Sequence, residues 1–319
     1  MIHGFKKQAL MVGVAIFLLA LVPLLLPQYY VGLVARALIW AILATSVGMM
    51  LGQLGLASVG HGVFFGIAAY TEAIVIQHMV ANAILATLVS LLTTVFAAAI
   101  FGLLTTRTKD IFFLMIMLAI CQVFYAIAFS WRSVTGGDDG LPGILTRQII
   151  PWVSLESTQA FYVFVLVIFL MTMGGFWLLI NSPFGLTLRG IRDSESRMRA
   201  LGYNVWLYKY LAFIISGLIS GIAGILNAFY DLTPNPSNFG LILSSTALLM
   251  VILGGPGTLA GPILGALVIV FLQDFVSDFT DRWLMVLGFV YVLVVLVFPE
   301  GILGAFNKML RTHKNLADK

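Results

Sequence analysis

Apolar runs long enough to cross a bilayer recur along this chain, and the breaks between them are short, polar or rich in glycine. A hydrocarbon core of roughly 30 Å takes about 20 apolar residues as an α-helix. Measured against that length, the pattern predicts spans at 9–26, 37–51, 62–77, 83–104, 111–130, 160–180, 210–230, 241–253, 258–273 and 283–298. The expected fold is all-α: a polytopic transmembrane helical bundle of about ten spans, some short or broken, forming a single domain over 1–319. Lys6 and Lys7 ahead of the first run resemble the start of a secretory signal. That run is span-length, however, and no small-residue cleavage site follows, so it is read as a retained helix. Two loops stand out by length, at 131–159 and at 181–209.

Three spans, at 37–51, 241–253 and 258–273, fall short of a full crossing, and each abuts a glycine-rich turn. A helix that stops inside the membrane leaves backbone groups unpaired, which is tolerated only where they line a cavity or are covered by protein. The turns read GQLGLASVGHG from Gly52 and GGPGTLAGP from Gly254, and their glycine spacings echo each other loosely, as in an internal repeat. The glycines also have a plainer reading, because small residues four apart let membrane helices pack closely. Gly48 with Gly52, Gly62 with Gly66, Gly217 with Gly221 and Gly261 with Gly265 all have that spacing.

Composition strengthens the membrane assignment: 61% of residues are hydrophobic, 9% are charged and the mean hydropathy is +1.06, where soluble domains carry about 25% charged residues. A net charge of +4 raises the question of nucleic acid. The basic residues are scattered through short loops and form no long run, so no nucleic-acid partner is expected. Of the 17 Lys and Arg, the span map puts all but Arg36, Arg132, Arg147 and Arg282 on the side that holds both termini. By the positive-inside rule both termini are then cytoplasmic, the loop at 181–209 is cytoplasmic and the loop at 131–159 is outside. The outer side carries Asp138, Asp139, Glu156, Asp231, Asp274, Asp278 and Asp281, an acidic rim suited to a basic partner or simply to water. Cys121 is the lone cysteine, so no intramolecular disulfide can form, and no metal-ligand or thiol-catalytic pattern is present.

Ionisable groups within the spans are few, which argues against a membrane enzyme. Glu72 is the acidic residue placed inside a span, about five residues from its outer end, where it either reaches toward the interface or pairs locally. His61 sits at a span edge beside the first glycine-rich turn, as a hydrogen-bonded structural residue or as part of a path. No G-x-x-x-x-G-K-[ST] loop occurs, so if ATP powers this chain another subunit binds it. The cytoplasmic loop reads TLRGIRDSESRMRAL over 187–201, with Pro183 and Gly185 before it and Gly202 after it. Leu188, Ile191, Met198 and Leu201 fall on one broad helical face. Arg189 with Asp193, Asp193 with Arg197, and Glu195 with Arg199 are spaced to pair along the other. The expectation is one short, rigid amphipathic helix, made either for a partner or for the surface of anionic lipid.

These motifs, taken together, resemble the LivM-type permeases of branched-chain amino acid ABC importers along nearly the whole chain. The matching pieces are GQLGLASVGHGVFFGIAAYT from Gly52, TGGDDGLPG from Thr135, LRGIRDSESRMRALGYNVWLYKYLAF from Leu188, SGLISGIAGILNA from Ser216, GGPGTLAGPILGA from Gly254 and FPEGILG from Phe298. The resemblance implies a multi-pass permease of the bacterial inner membrane that moves branched-chain or related hydrophobic amino acids. It implies as partners a second, LivH-like permease, two ABC ATPase subunits and a periplasmic substrate-binding protein. It also implies no cofactor in this chain, with ATP and Mg on the ATPases. The loop with Arg189, Gly190, Arg192, Asp193, Glu195, Arg199, Leu201 and Gly202 then corresponds to the coupling helix that seats in an ATPase groove. Gly52, Gln53, Ser58, His61 and Glu72 are the candidates for the substrate path. The competing reading is a secondary transporter or channel for a small polar solute, which would need ion-coupling residues beyond Glu72 and His61.

Overall fold

The computed structural model describes residues 13, 16–78, 83–108, 110–141, 148–150, 153–154, 156–280, 282–297, 301–302 and 304. Both chain termini, the start of the first expected span, Lys109, Arg147, Asp281 and most of the final FPEGILG stretch lie outside them. Twelve helices of more than one turn organise the described residues. They are α1 (Ile16–Leu25), α2 (Gln28–Gly48), α3 (Gly62–His78), α4 (Ala83–Thr105), α5 (Asp110–Ser130), α6 (Thr158–Asn181), α7 (Pro183–Asp193), α8 (Glu195–Ala200), α9 (Val205–Asp231), α10 (Leu241–Gly254), α11 (Ala260–Ser277) and α12 (Trp283–Val297). A small antiparallel hairpin, β1 (Gln148–Ile150) with β2 (Val153–Ser154), lies in the outer loop.

Among the described residues, six helices are long and apolar enough to cross a membrane, and four shorter apolar ones, α1, α3, α10 and part of α12, fall where the remaining spans are expected. Helices dominate because hydrocarbon offers no partner to backbone N–H and C=O groups, and a helix satisfies them internally. Two helices form the centre: 83% of the α2 span and 72% of α9 are buried, against 22% for each of α4 and α5. The outer helices turn Leu88, Leu92, Phe96, Ile111, Phe112 and Met115 outward, as an apolar solvent permits. Gly217 and Gly221 of α9 are explained by packing, since a Cβ at either would stand 2.7 Å from Ala98 or Thr94 of α4. Phe213 extends that contact, edge-on to Phe64 at 5.4 Å and to Phe113 at 6.0 Å.

Two of the expected short spans are in fact full length. The second begins at Gln28, not residue 37, and carries on through a π-helical turn at Met49–Gln53. Arg36 therefore lies inside α2, half-buried and within electrostatic reach of Asp231, instead of in an outer loop. The polar face formed by Gln28, Tyr29 and Arg36 hid this first part of the helix from a reading of hydropathy. The span expected at 258–273 runs as α11 to Ser277. Lys209, expected in the cytoplasmic loop, is buried within α9, which starts at Val205.

By contrast, α3 and α10 stay short because each starts inside the bundle. Residues 54–61 leave the end of α2 and run back into the protein, where Gly60 packs against the carbonyl of Met117. Met117 is seven residues into α5, about 10 Å at 1.5 Å per residue. Residues 232–240 enter from the opposite end of α9, and the Cys121 thiol donates to the Phe239 carbonyl at 2.7 Å, midway along α5. The two helix N-termini meet there, with Gly62 N–H donating to Ser244 Oγ of α10 at 3.0 Å. The structure thus packs 54–61 and α3 against 232–240 and α10. The turn from Gly254 has another place: it closes the inner end of α10 onto α11 and touches the turn from Gly52.

The TGGDDG motif covers the outer re-entrant segment. Gly136, Gly137 and Gly140 all have positive φ, and Leu141 N–H donates to the Pro234 carbonyl at 2.9 Å.

Candidate functional site

The inner re-entrant segment is held by hydroxyl groups. His61 is fully buried, with Nδ1 2.8 Å from Ser58 Oγ and Nε2 2.6 Å from Ser216 Oγ of α9. Ser216 Oγ donates its single proton to the Ser46 carbonyl at 2.7 Å, so it accepts from His61, which fixes the tautomer as Nε2–H with Nδ1 accepting from Ser58. Ser220 Oγ donates to the His61 carbonyl at 2.9 Å. Every polar group of this knot is satisfied, which is the condition for burying it without penalty. Ser58 and His61 are thus committed to fastening 54–61 onto α2 and α9.

Gln53 and Asn238 differ. Both are buried, Gln53 at the end of α2 and Asn238 on the 232–240 connection, and the Gln53 Oε1 and Asn238 Nδ2 atoms have no hydrogen-bond partner among the described residues. Glu72 stands apart from the other candidates. It is eleven residues beyond His61, about 16 Å along α3, fully buried, and accepts from Thr87 Oγ1 of α4 at 3.0 Å. Its Oε1 thus pairs locally across α3 and α4, while its buried Oε2 has no hydrogen-bond partner among the described residues.

In the loop at 181–209, the expected single helix is two. Ser194 adopts an extended backbone and accepts from Arg197 N–H, ending α7 and capping α8. The helices fold tightly on one another because Gly190 leaves room for Met198, whose Sδ would be 2.8 Å from a Cβ there. Leu188, Ile191 and Met198 are buried as the amphipathic pattern required. Leu201, past the break, is 66% exposed. Gly202 (φ +87°) closes α8 in a Schellman motif, with Gly202 N–H on Arg199 O and Tyr203 N–H on Met198 O at 3.0 and 3.1 Å.

Of the three expected charge pairs, Glu195 with Arg199 forms. The break at Ser194 separates Asp193 from Arg197, Arg189 turns away from Asp193 within α7, and Arg189, Arg192 and Glu195 find other partners. Arg189 donates to the Ile180 carbonyl at 3.1 Å. Arg192 lies 3.5 Å from Asp193 and donates to the Gly52 carbonyl at the end of the π turn. Glu195 accepts from the buried Lys209 of α9 at 2.8 Å. Burial alone would raise the Glu195 carboxyl, yet Lys209 and Arg199 outweigh it and hold the group below the usual glutamate range. A polar cavity of about 460 Å³ lies between these groups and the segment, lined by Leu54–Leu56, Asp110, Arg192 and Lys209 among others.

The helix pair α7 and α8 is thus fastened by charged side chains to the end of α2 and to α9. Residues 29–297 match the family described as branched-chain amino acid transport system / permease component. The chain belongs to that family. The permease is 24% identical to the high-affinity branched-chain amino acid transport system permease protein LivM of Escherichia coli K12, over 98% of this chain and 78% of the relative. It is 28% identical to a probable branched-chain amino acid transport permease protein LivM of Methanocaldococcus jannaschii, over 64% of this chain and 63% of the relative. It is 30% identical to the autoinducer 2 import system permease protein LsrC of Photorhabdus laumondii, over 55% and 54%. No solved structure matches. Sequence reasoning about this permease missed Ser216, Ser244 and Lys209, because each acts through a contact distant in the chain, and Asn238, whose burial no local pattern shows. The serines' spacing around the helical SGLISG run was the available signal.

Proposed function

We propose that this permease is one membrane half of an ATP-driven importer of branched-chain or related hydrophobic amino acids in the bacterial inner membrane. A second, LivH-like permease forms the other half, two ABC ATPase subunits bind ATP and Mg, and a periplasmic binding protein delivers the solute. This chain itself carries no cofactor. The observation that supports this reading best is the fastening of α7 and α8 to the broken-helix core, which lets a body docked on the cytoplasmic face move groups deep in the membrane. Leu186, Leu201 and Tyr203 are exposed beside those helices, an apolar surface suited to an ATPase groove. Along the path, Gln53 and Asn238 offer free polar atoms, while Gly52, Ser58 and His61 shape it and Glu72 of α3 braces it against α4.

Reconstitution tests the whole. The four kinds of subunit, assembled in vesicles, are expected to take up leucine, isoleucine or valine only with ATP inside and binding protein outside. Autoinducer 2 serves as the competing solute, given the LsrC relatives. Uphill uptake by this chain alone in ATP-free vesicles would overturn the reading in favour of a secondary transporter.

A further inference from the structure

We infer that Arg192 is a positioning residue, a latch through which movement of α7 is transmitted to the re-entrant segment 54–61; this rests on the coupled-permease reading above. Four observations carry it. First, Arg192 Nη1 donates to the Gly52 carbonyl, one of the backbone acceptors left without a helical partner where α2 ends. A cation at a helix C-terminus is also favoured by the helix dipole. Second, the helix ends in a π turn, Met49–Gln53, an irregularity that is costly to keep and concentrates where function requires it. Third, the surroundings admit little slack. A Cβ at Gly52 would stand 2.5 Å from the Gly257 nitrogen, so the two glycine-rich turns meet backbone to backbone. The Arg192 stem crosses Gly55, which holds φ +75°, with Cγ 3.0 Å from where a Cβ would be. Fourth, 54–61 contains no charged side chain. Its other fastenings are backbone bonds to Leu51 and Met50 at its start and the His61 knot at its end.

Arg192 therefore holds the turn that leads into the segment, and its stem lies against Gly55 within it, while its own backbone belongs to α7. If α7 shifts, the guanidinium either carries the Gly52 turn with it or lets go beside the polar cavity. Both outcomes change access to Ala57, which is half-buried on the segment. Arg189 and Glu195 have inward partners of their own, to α6 and α9, so they hold the helix pair in place without touching 54–61.

The test uses the assembled complex with Ala57→Cys as reporter, labelled by a water-soluble maleimide with and without trapped nucleotide. With Arg192 intact, the labelling rate is expected to differ between the two states. In Arg192→Ala, ATP hydrolysis should persist while uptake per ATP falls about tenfold, within the usual span of coupling free energies, and the labelling difference should disappear. Arg192→Lys, which keeps a donor, should restore part of both; if the alanine variant does not assemble, Arg192→Gln is read by the same criteria. Normal uptake per ATP in the alanine or glutamine variant would overturn the latch. So would loss of hydrolysis and uptake in equal proportion, which marks a docking contact. Absence of ATP-driven uptake with Arg192 intact would instead overturn the importer reading itself.

Discussion

At the scale of single residues, the structure separates polar groups that are finished from those that are not. His61 was a path candidate in the sequence, yet both its ring nitrogens are used, and Ser216 is the hinge of that knot because its one hydroxyl serves His61 and the Ser46 carbonyl together. Ser216→Ala should therefore leave a buried N–H and a buried carbonyl unpaired, at a cost of roughly 2–3 kcal/mol. The measurement is thermal unfolding in detergent, where a lowered midpoint is expected. An unshifted midpoint would mean that water or a rotated side chain replaces the hydroxyl. Glu195 gives a pH-dependent counterpart. Its carboxyl is held below the usual range by Lys209 and Arg199 against the effect of burial, so in the folded state it stays ionised to lower pH than in the unfolded chain. The stability it contributes is then fully present above the unfolded value of about 4.3 and is lost as pH falls through the lowered folded one. Amide exchange in α8 should be faster in Glu195→Gln than in the parent at pH 7, with the difference fading in acid. Equal exchange at pH 7 would show that the Lys209 pair does not anchor the helix.

At the scale of elements, what could be read in advance follows the reach of the physics. The helices α4, α5 and α6 emerge from length and hydropathy alone, because a span exposed to lipid must be apolar throughout. The segments 54–61 and 232–240 do not, because the His61 and Phe239 carbonyls within them are satisfied by Ser220 and Cys121, partners that lie far off in sequence. Their glycines hint at a break without saying how each turn packs; the turn from Gly254 meets the turn from Gly52 at Gly257. The cytoplasmic loop shows the same limit. Its apolar positions and its closing glycine were legible, whereas the stop at Ser194 was not, since a serine within a helical pattern is compatible with both continuation and capping. That stop makes α8 a separate lever. Met198→Pro, placed within α8 and beneath Gly190, removes a backbone donor and the contact that joins the two helices, and should cost about 3 kcal/mol or more. In the assembled complex it is expected to abolish uptake while the protein still inserts. Full uptake in that variant would show that α8 plays no part in coupling.

At the scale of the whole molecule, the short helices leave the count of crossings unchanged. Residues 54–61 with α3 make one passage, in two pieces, and residues 232–240 with α10 make another, so the chain alternates sides as an all-helical bundle with complete spans would. The charge asymmetry is expected to hold although Arg36 and Lys209 lie inside helices, because residues outside the spans such as Arg132 and Arg197 set the sides. The alternation places the break at Ser194, with its exposed neighbour Ser196, on one face, and the exposed Asp138 of the TGGDDG motif on the other. Cysteine introduced at either position reports the side directly, because the natural Cys121 is buried and contributes no background. A membrane-impermeant maleimide added to right-side-out vesicles should label Asp138→Cys and spare Ser196→Cys, and in inverted vesicles the pattern should reverse. Labelling of both from one side would remove a crossing between α5 and α8. With it would go the opposed entries of the two re-entrant segments, since 54–61 and 232–240 can approach from opposite faces only if α2 and α9 end on opposite sides of the membrane.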